Sequence, residues 1–376
     1  MNSSISKILA DILQANSNIT FYTFSNADSK TWIMPQKNMC TAMNLYQPSG
    51  IKGKWMKNYF PYLYWIKPLQ KRLGIAVNQY ELQLDIKKTI CRIFHSDAVD
   101  FSIFCGTPSV HQKITIQISN ENKILGYCKL SDKEDIKNLF LHEQKILGML
   151  KEKEVSQIPE CLYCNTLKDN LYLFIQSTTK TNHSKTLHNW NDLHWNFLTH
   201  LKEKTEQIIP FEQTDFFQSI KCLQQNQAYL LDSERAIIVI AIDKVLNHYK
   251  NSTVNFSVCQ GDFTPWNMFM EKNQLFVFDW EYAGLTYPDY IDRFHFFTQC
   301  CIFEQHFDAK KIARSYLIQK QTFSEYITNP DFQYLCYLLD IISRYVNRDK
   351  GIYSEAMKNS LKIWIQLIFL LLKCEK

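Results

Sequence analysis

Glycine is scarce in this chain, with 9 in 376 residues. That excludes a glycine-rich linker between mobile modules and leaves no G-x-G-x-x-G phosphate fingerprint. Long apolar runs are missing too. The strongest, Ile363 to Leu372, is broken by Gln366 and falls short of the roughly 20 residues that span a bilayer. It reads as a buried C-terminal helix, and no transmembrane segment is expected. The stretch from Met1 to Asn16 has no basic start, apolar h-region or small-residue cleavage site, which argues for a cytoplasmic rather than a secreted protein. The 12 cysteines follow no secreted-scaffold spacing. Cys161-Leu-Tyr-Cys164 finds no second C-x-x-C or histidine pair to complete a zinc site, so the thiols read as free. His183, His188, His194 and His200 are five or six residues apart, not the i, i+4 of a helical metal pair. Internal repeats and low-complexity tracts are absent.

What is present has the balance of a folded globular protein, 46% hydrophobic and 21% charged. The formal charge of +5 is too small to imply nucleic-acid wrapping and suits a mildly basic nucleotide cleft. Residues 1–95 are aromatic and basic, with strands expected at Ile19–Phe24 and Thr31–Met34 around a polar turn. In Lys52–Arg72, lysines alternate with Trp55, Tyr59, Phe60, Tyr62, Tyr64 and Trp65. This reads as an amphipathic helix with rings packed inward, and a peripheral membrane or polyanion-binding face is the competing reading. Residues 96–176 suggest strands at Val99–Phe104, Ile114–Ser119 and Lys123–Leu130. A helix with apolar spacing follows over Ile136–Leu150, then a turn at 167–170 and a strand at Leu171–Ile175. From 177 to 376 the pattern is helical. The exception is Val258 to Asp279, where apolar strands flank a loop.

That exception carries the chemistry. Gln260-Gly-Asp262-Phe-Thr-Pro-Trp-Asn267 is followed by Phe278-Asp279-Trp280-Glu281. Each polar residue sits on a loop beside an apolar run that would hold it rigidly. Phosphoryl transfer needs this set: one carboxylate to orient the attacking hydroxyl, and an amide with a second carboxylate to hold Mg²⁺ against nucleotide phosphates. Asp279 and Glu281 alone could suggest a glycosidase pair, but no second element supports that reading.

The pattern resembles the H-G-D-x-x-x-x-N and D-W-E motifs of the aminoglycoside phosphotransferase and choline kinase superfamily, whose Asp/Asn spacing equals that of the protein-kinase catalytic loop. The resemblance implies Asp262 as catalytic residue and Asn267 and Asp279 as metal-binding residues. It extends to Lys129, in the third expected strand, and Glu143, on the following helix, as the ion pair that meets the nucleotide phosphates, with Lys123 and Lys133 as competitors for the strand lysine. Cys105–Lys113, with Gly106, would cover the nucleotide, and Ile175 and Ser177 would meet the base through their backbone.

The implied fold is α+β and protein-kinase-like. It has a small antiparallel N-lobe sheet with one helix (96–176), a larger helical C-lobe (177–376) and an N-terminal α/β extension (1–95), with the site in the cleft between lobes. ATP and Mg²⁺ are the implied cofactors, and the partner is a small-molecule hydroxyl acceptor rather than nucleic acid. Aromatic residues such as Trp190, Trp195, Phe211, Phe216, Phe294 and Phe296, without a dense acidic run, favour a sugar or glycan precursor over choline, ethanolamine or an aminoglycoside. Gln260 stands where the family carries His. It reads as a tolerated exchange, with a non-catalytic nucleotide-binding protein as the alternative.

Overall fold

In the computed structural model of this chain, residues 3–15, 18–48, 50–109, 111–167 and 170–374 are described. Val110 of the expected covering loop, Lys168 and Asp169 of the expected turn, and Met1, Asn2 and Asn16 of the N-terminal stretch lie outside them. Two compact units form. The first comprises Met1–Glu152, Ser156–Thr186 and Phe269–Glu281, and the second Lys153–Val155, Leu187–Met268 and Tyr282–Lys376.

The first unit runs α1 (Ser3–Ile12), β1 (Leu13–Gln14), β2 (Thr20–Ser25), β3 (Thr31–Pro35), α2 (Met39–Ala42), α3 (Ile51–Leu63), α4 (Lys67–Arg72), β4 (Ala76–Gln79), β5 (Glu81–Leu82), α5 (Leu84–Ile93), β6 (Asp100–Phe104), β7 (Ile114–Asn120), β8 (Lys123–Ser131), α6 (Glu134–Glu152), β9 (Cys161–Thr166) and β10 (Tyr172–Ser177). Strand alternation organises it. Ile103, Ile114, Ile116, Ile118, Cys128, Leu130, Leu173 and Ile175 share one sheet face, where Ile5, Ile8 and Ile12 of α1 and Ile86 and Ile90 of α5 cover them. Phe24, Trp32 and Met34 belong to a second core with Met56 and Phe60 of α3. Phe174 turns away from the isoleucine face to pack its ring, tilted, against Phe140 of α6. Burying each such side chain contributes roughly 1.5–3 kcal/mol.

The sheet is larger than expected. Eight antiparallel strands run in the order β4-β2-β3-β6-β7-β8-β10-β9. Strands from residues 20–79 join it through β3 and β6, at Trp32↔Phe104 and Ile33↔Ile103. The outer strand β9 carries no clean alternation, with only half-exposed and exposed positions, so nothing in its residue pattern announced it. Cys161 and Cys164 are paired along it with Gln176 and Phe174 across a register shift, so despite their odd separation both lie on the face that those two residues share.

The second unit contains α7 (Asp192–Thr205), β11 (Gln207–Pro210), α8 (Asp215–Asn226), α9 (Asp232–Tyr249) and β12 (Thr253–Cys259). The short strands β13 (Met268–Glu271) and β14 (Gln274–Val277) follow in the chain, then β15 (Gly284–Tyr287), α10 (Ile291–Gln299), α11 (Ala309–Ser324), α12 (Pro330–Asp349) and α13 (Glu355–Cys374). Side-chain caps start several helices: Thr214 accepts from Phe217 N–H, Asp308 from Lys311 N–H, and Asn329 from Phe332 N–H ahead of Pro330. The helices share one core, into which α13 inserts Trp364, Leu367 and Ile368. Among the described residues no helix is long and apolar enough to cross a membrane.

Candidate active site

Period-two alternation sets the first half of the site. Cys128 and Leu130 enter the isoleucine core, so Lys129 between them projects to the opposite face. There Glu143 of α6 meets it, with Lys129 Nζ 2.9 Å from Oε1 and 2.7 Å from Oε2. Lys129 Nζ also reaches Asp279 Oδ1 at 2.6 Å, and it lies 5.4 Å from the centre of the Phe174 ring. Glu143 has no exposed surface and also accepts the Trp280 N–H at 3.1 Å, which fastens the segment bearing Asp279 to α6. Asp279 takes a left-handed φ of 66°, a conformation that non-glycine residues keep only where surroundings impose it.

A second cation, Lys113, reaches the same carboxylates. It bonds Glu281 and lies 3.6 Å from Asp279 Oδ1. Burial would raise the Asp279 carboxyl, but Lys113 and Lys129 outweigh it and hold the group well below the ordinary carboxylate range. Burial likewise opposes the charge on Lys129, yet Asp279 and Glu143 keep its pKa raised. Two cations thus face Glu143, Asp279 and Glu281, whose oxygens lie within 4.8 Å of one another. Hard oxygens at this spacing match the donor chemistry of Mg²⁺, and the lysines offer charge to phosphate oxygens.

The second half is the loop after β12. Gly261 has φ +84°, and a Cβ there would sit 2.3 Å from the Tyr282 carbonyl oxygen, so only glycine fits the turn. The buried Asp292 of α10 accepts the N–H groups of Gln260 (2.6 Å) and Gly261 (2.9 Å). Burial pushes the Asp292 carboxyl up, and these two bonds offset part of that. Arg344 of α12 donates to the Gly261 carbonyl and pairs with Asp340 at 3.1 Å. The loop is thereby held from two helices. The Gln260 side chain accepts the Asp262 N–H at 2.8 Å. Asn267 donates through Nδ2 to Asp262 Oδ2 (2.7 Å) and to its carbonyl oxygen (2.9 Å), leaving Oδ1 as the atom able to meet a metal. His295 Nε2 lies 3.0 Å from Asp262 Oδ1.

The structure therefore brings Lys129 together with Glu143 and Asp279, and Asp262 with Asn267. Lys113, Asp292, His295 and Arg344 had not been singled out. The only local signal was Asp292-x-x-His295, one helical turn on one face of α10. Gly106 has φ +77° and no room for a Cβ against the Lys113 carbonyl, which fits a tight turn closing on the Lys113 backbone. Ile175 and Ser177, expected to meet the base through their backbone, lie in the last residues of the sheet ladder on β10. Ile175 is paired on both sides, with Cys128 and Tyr163, and the Ser177 N–H already donates to Glu160 O at 2.9 Å. The aromatic argument also changes. Phe211, Phe216, Phe294 and Phe296 are buried in the helical interior, so their faces serve packing rather than a ligand.

No protein-family model and no curated protein matches the sequence. Solved structures do match. Aminoglycoside phosphotransferase APH(4)-Ia is 12% identical, with a TM-score of 0.52 over 77% of this chain and 98% of that one. A thermostable mutant of the same protein, in ternary complex with ADP and hygromycin B, gives the same identity, TM-score and coverage. The chain has the fold of the aminoglycoside phosphotransferases, which is protein-kinase-like.

Proposed function

We propose that this protein is a phosphotransferase that moves the γ-phosphoryl group of ATP to a hydroxyl of a small molecule. The observation that carries the reading is the ion-paired triad of buried Lys129 and Glu143 with half-buried Asp279. A buried cation shared by two carboxylates on separate segments is costly to assemble, and it suits a site that must grip phosphate and metal together.

The residues divide the work as follows. Lys129, fixed by Glu143, neutralises phosphate oxygens, and Lys113 adds a second positive charge. Asp279 and the Asn267 carbonyl oxygen would hold Mg²⁺, which when bound neutralises charge on the transferred group. Asp262 accepts the hydrogen bond of the acceptor hydroxyl and aligns it for in-line attack. Asn267 and His295 fix the Asp262 carboxylate in its rotamer. Catalysis then rests on positioning and charge complementarity rather than on covalent participation of the protein.

Gln260 supports activity rather than its loss, because its side-chain oxygen holds the amide of Asp262. For the acceptor we favour a sugar or glycan precursor over a polycation. The sequence carries no dense acidic run of the kind that would receive a polycation.

The test compares wild type with Asp262→Asn for Mg·ATP binding, slow ATP hydrolysis and transfer to a panel of neutral sugars, sugar phosphates, choline and kanamycin. Turnover should fall roughly 10²–10⁴-fold while nucleotide affinity stays within about threefold. Nucleotide binding without Asp262-dependent turnover would sink the enzyme reading in favour of a non-catalytic one.

A further inference from the structure

Between Asp28 and Glu81 the chain carries no Asp or Glu, while Lys30, Lys37, Lys52, Lys54, Lys57, Lys67, Lys71 and Arg72 all fall within that span. Its centre, α3 and α4, was expected to pack its rings inward. Only part of it does: Met56 and Phe60 enter the core. The other face carries Ile51 (88% exposed), Trp55 (40%), Tyr59 (53%) and Tyr62 (68%), and Trp65 (67%) follows after the helix. At 100° per residue, positions 51, 55, 59 and 62 fall within about 80° of one another. They form one continuous stripe, with Lys52 and Lys54 on its two flanks. Exposed Lys67, Lys71 and Arg72 extend the basic surface through α4.

We propose that this face docks the protein on an anionic phospholipid bilayer, with α3 lying in the plane of the headgroups. Tryptophan and tyrosine have an apolar body and a polar tip, which suits them to that depth, and lysines beside them meet lipid phosphates. An apolar stripe on a basic helix anchored by its opposite side is the geometry of an interfacial helix rather than of a span. At 13 residues, α3 is about 20 Å long, which leaves it lying on the surface. A second copy of the chain would bring like charges together, which disfavours self-association. Stacked nucleic-acid bases need open ring faces, whereas Trp55 and Tyr59 already pack together, 5.6 Å between centres and 34° between planes.

The experiment uses the full chain and needs no nucleotide, so its outcome is independent of the phosphotransferase reading. Sedimentation is measured with vesicles of phosphatidylcholine alone and with about one third phosphatidylglycerol. Binding to the anionic vesicles should be at least tenfold tighter. It should also be lost at about 1 M salt, where charges are screened beyond roughly 3 Å. The triple variant Trp55→Ala, Tyr62→Ala, Trp65→Ala should bind at least tenfold more weakly, as should Lys52→Glu with Lys54→Glu. All five positions are exposed, so the variants should remain folded, and a cooperative thermal transition in each separates lost docking from lost folding. Equal binding to both vesicle types, equal binding by the folded variants, or retention only on RNA or on an acidic protein would overturn the proposal.

Discussion

The second unit should be acid-labile for a reason that can be traced to one side chain. His194 opens α7, has no exposed surface and stacks on Trp190 with 4.8 Å between centres. Its Nε2 meets no hydrogen-bond partner, so nothing there can receive a second ring proton. Burial lowers its pKa to about 4; a bond to the Asn191 backbone works the other way, and the charge of Arg293 adds to the lowering. The native pKa lies below the unfolded value of about 6.5, so as pH falls the unfolded chain takes up the proton first. Stability is therefore intact above about pH 6.5 and is lost progressively towards pH 4. The gap of about 2.5 in pKa, at about 1.4 kcal/mol for each pH unit, amounts to about 3 kcal/mol at the acid end. Urea unfolding followed by tryptophan fluorescence, between about pH 7 and pH 4.5, measures it for wild type and His194→Gln. Whatever the variant costs at neutral pH, its curve should fall less steeply, and the two should converge by 2–3 kcal/mol. Curves parallel to within about 0.5 kcal/mol would refute the assignment, because every other titrating group is shared.

Three further outcomes follow from the site. Glu143→Ala strands Lys129 with Asp279 as its remaining partner, and should cost about 3–5 kcal/mol in unfolding free energy; a loss below about 1 kcal/mol would mean the buried pair is not holding the unit together. His295→Ala should lower kcat about tenfold with KM nearly unchanged, while His295→Gln, whose amide can still donate to Asp262, should recover most of it. Equal losses in both variants would remove His295 from any role in orienting Asp262. Gly261→Ala forces a Cβ against the Tyr282 carbonyl at a φ of +84° and should cost at least about 1–3 kcal/mol, read by thermal unfolding; a neutral result would show that the turn can relax.

The site was legible where its parts are held by short segments. Asp262, Asn267 and Asp279 lie within 18 residues of one another, so their spacing alone could be compared with a known pattern. Lys129 and Glu143 were legible only through the resemblance, which calls for a strand lysine and a helix glutamate upstream of the loop; taken alone each looked like solvated surface, whereas Glu143 lies in the buried stripe of α6 with Phe140 and Leu147. Lys113, His295 and Arg344 had no such frame. Each reaches the site from an element whose placement depends on tertiary packing, and a lone Lys or Arg in sequence looks like solvated surface. The eight-stranded sheet was hidden likewise, since β3 meets β6 across more than 60 residues of intervening chain, and no local signal reports a pairing at that separation.

Gln260 shows what kind of reading survives such gaps. Judged by residue identity it breaks the family pattern, and that break was the ground for the non-catalytic alternative. Judged by donors and acceptors it breaks nothing. The position needs an acceptor for the Asp262 N–H, and the glutamine oxygen supplies one at 2.8 Å, as a neutral imidazole nitrogen could. The other constraints on the loop come from Asp292 and Arg344, which hold the backbone of Gln260 and Gly261 and are indifferent to the side chain at 260. A loop fixed mainly through its own backbone can change a supporting side chain and keep the Asp262 carboxylate in place, so the hydrogen bonds around Asp262, more than the residue type at 260, bear on whether this chain is an active enzyme.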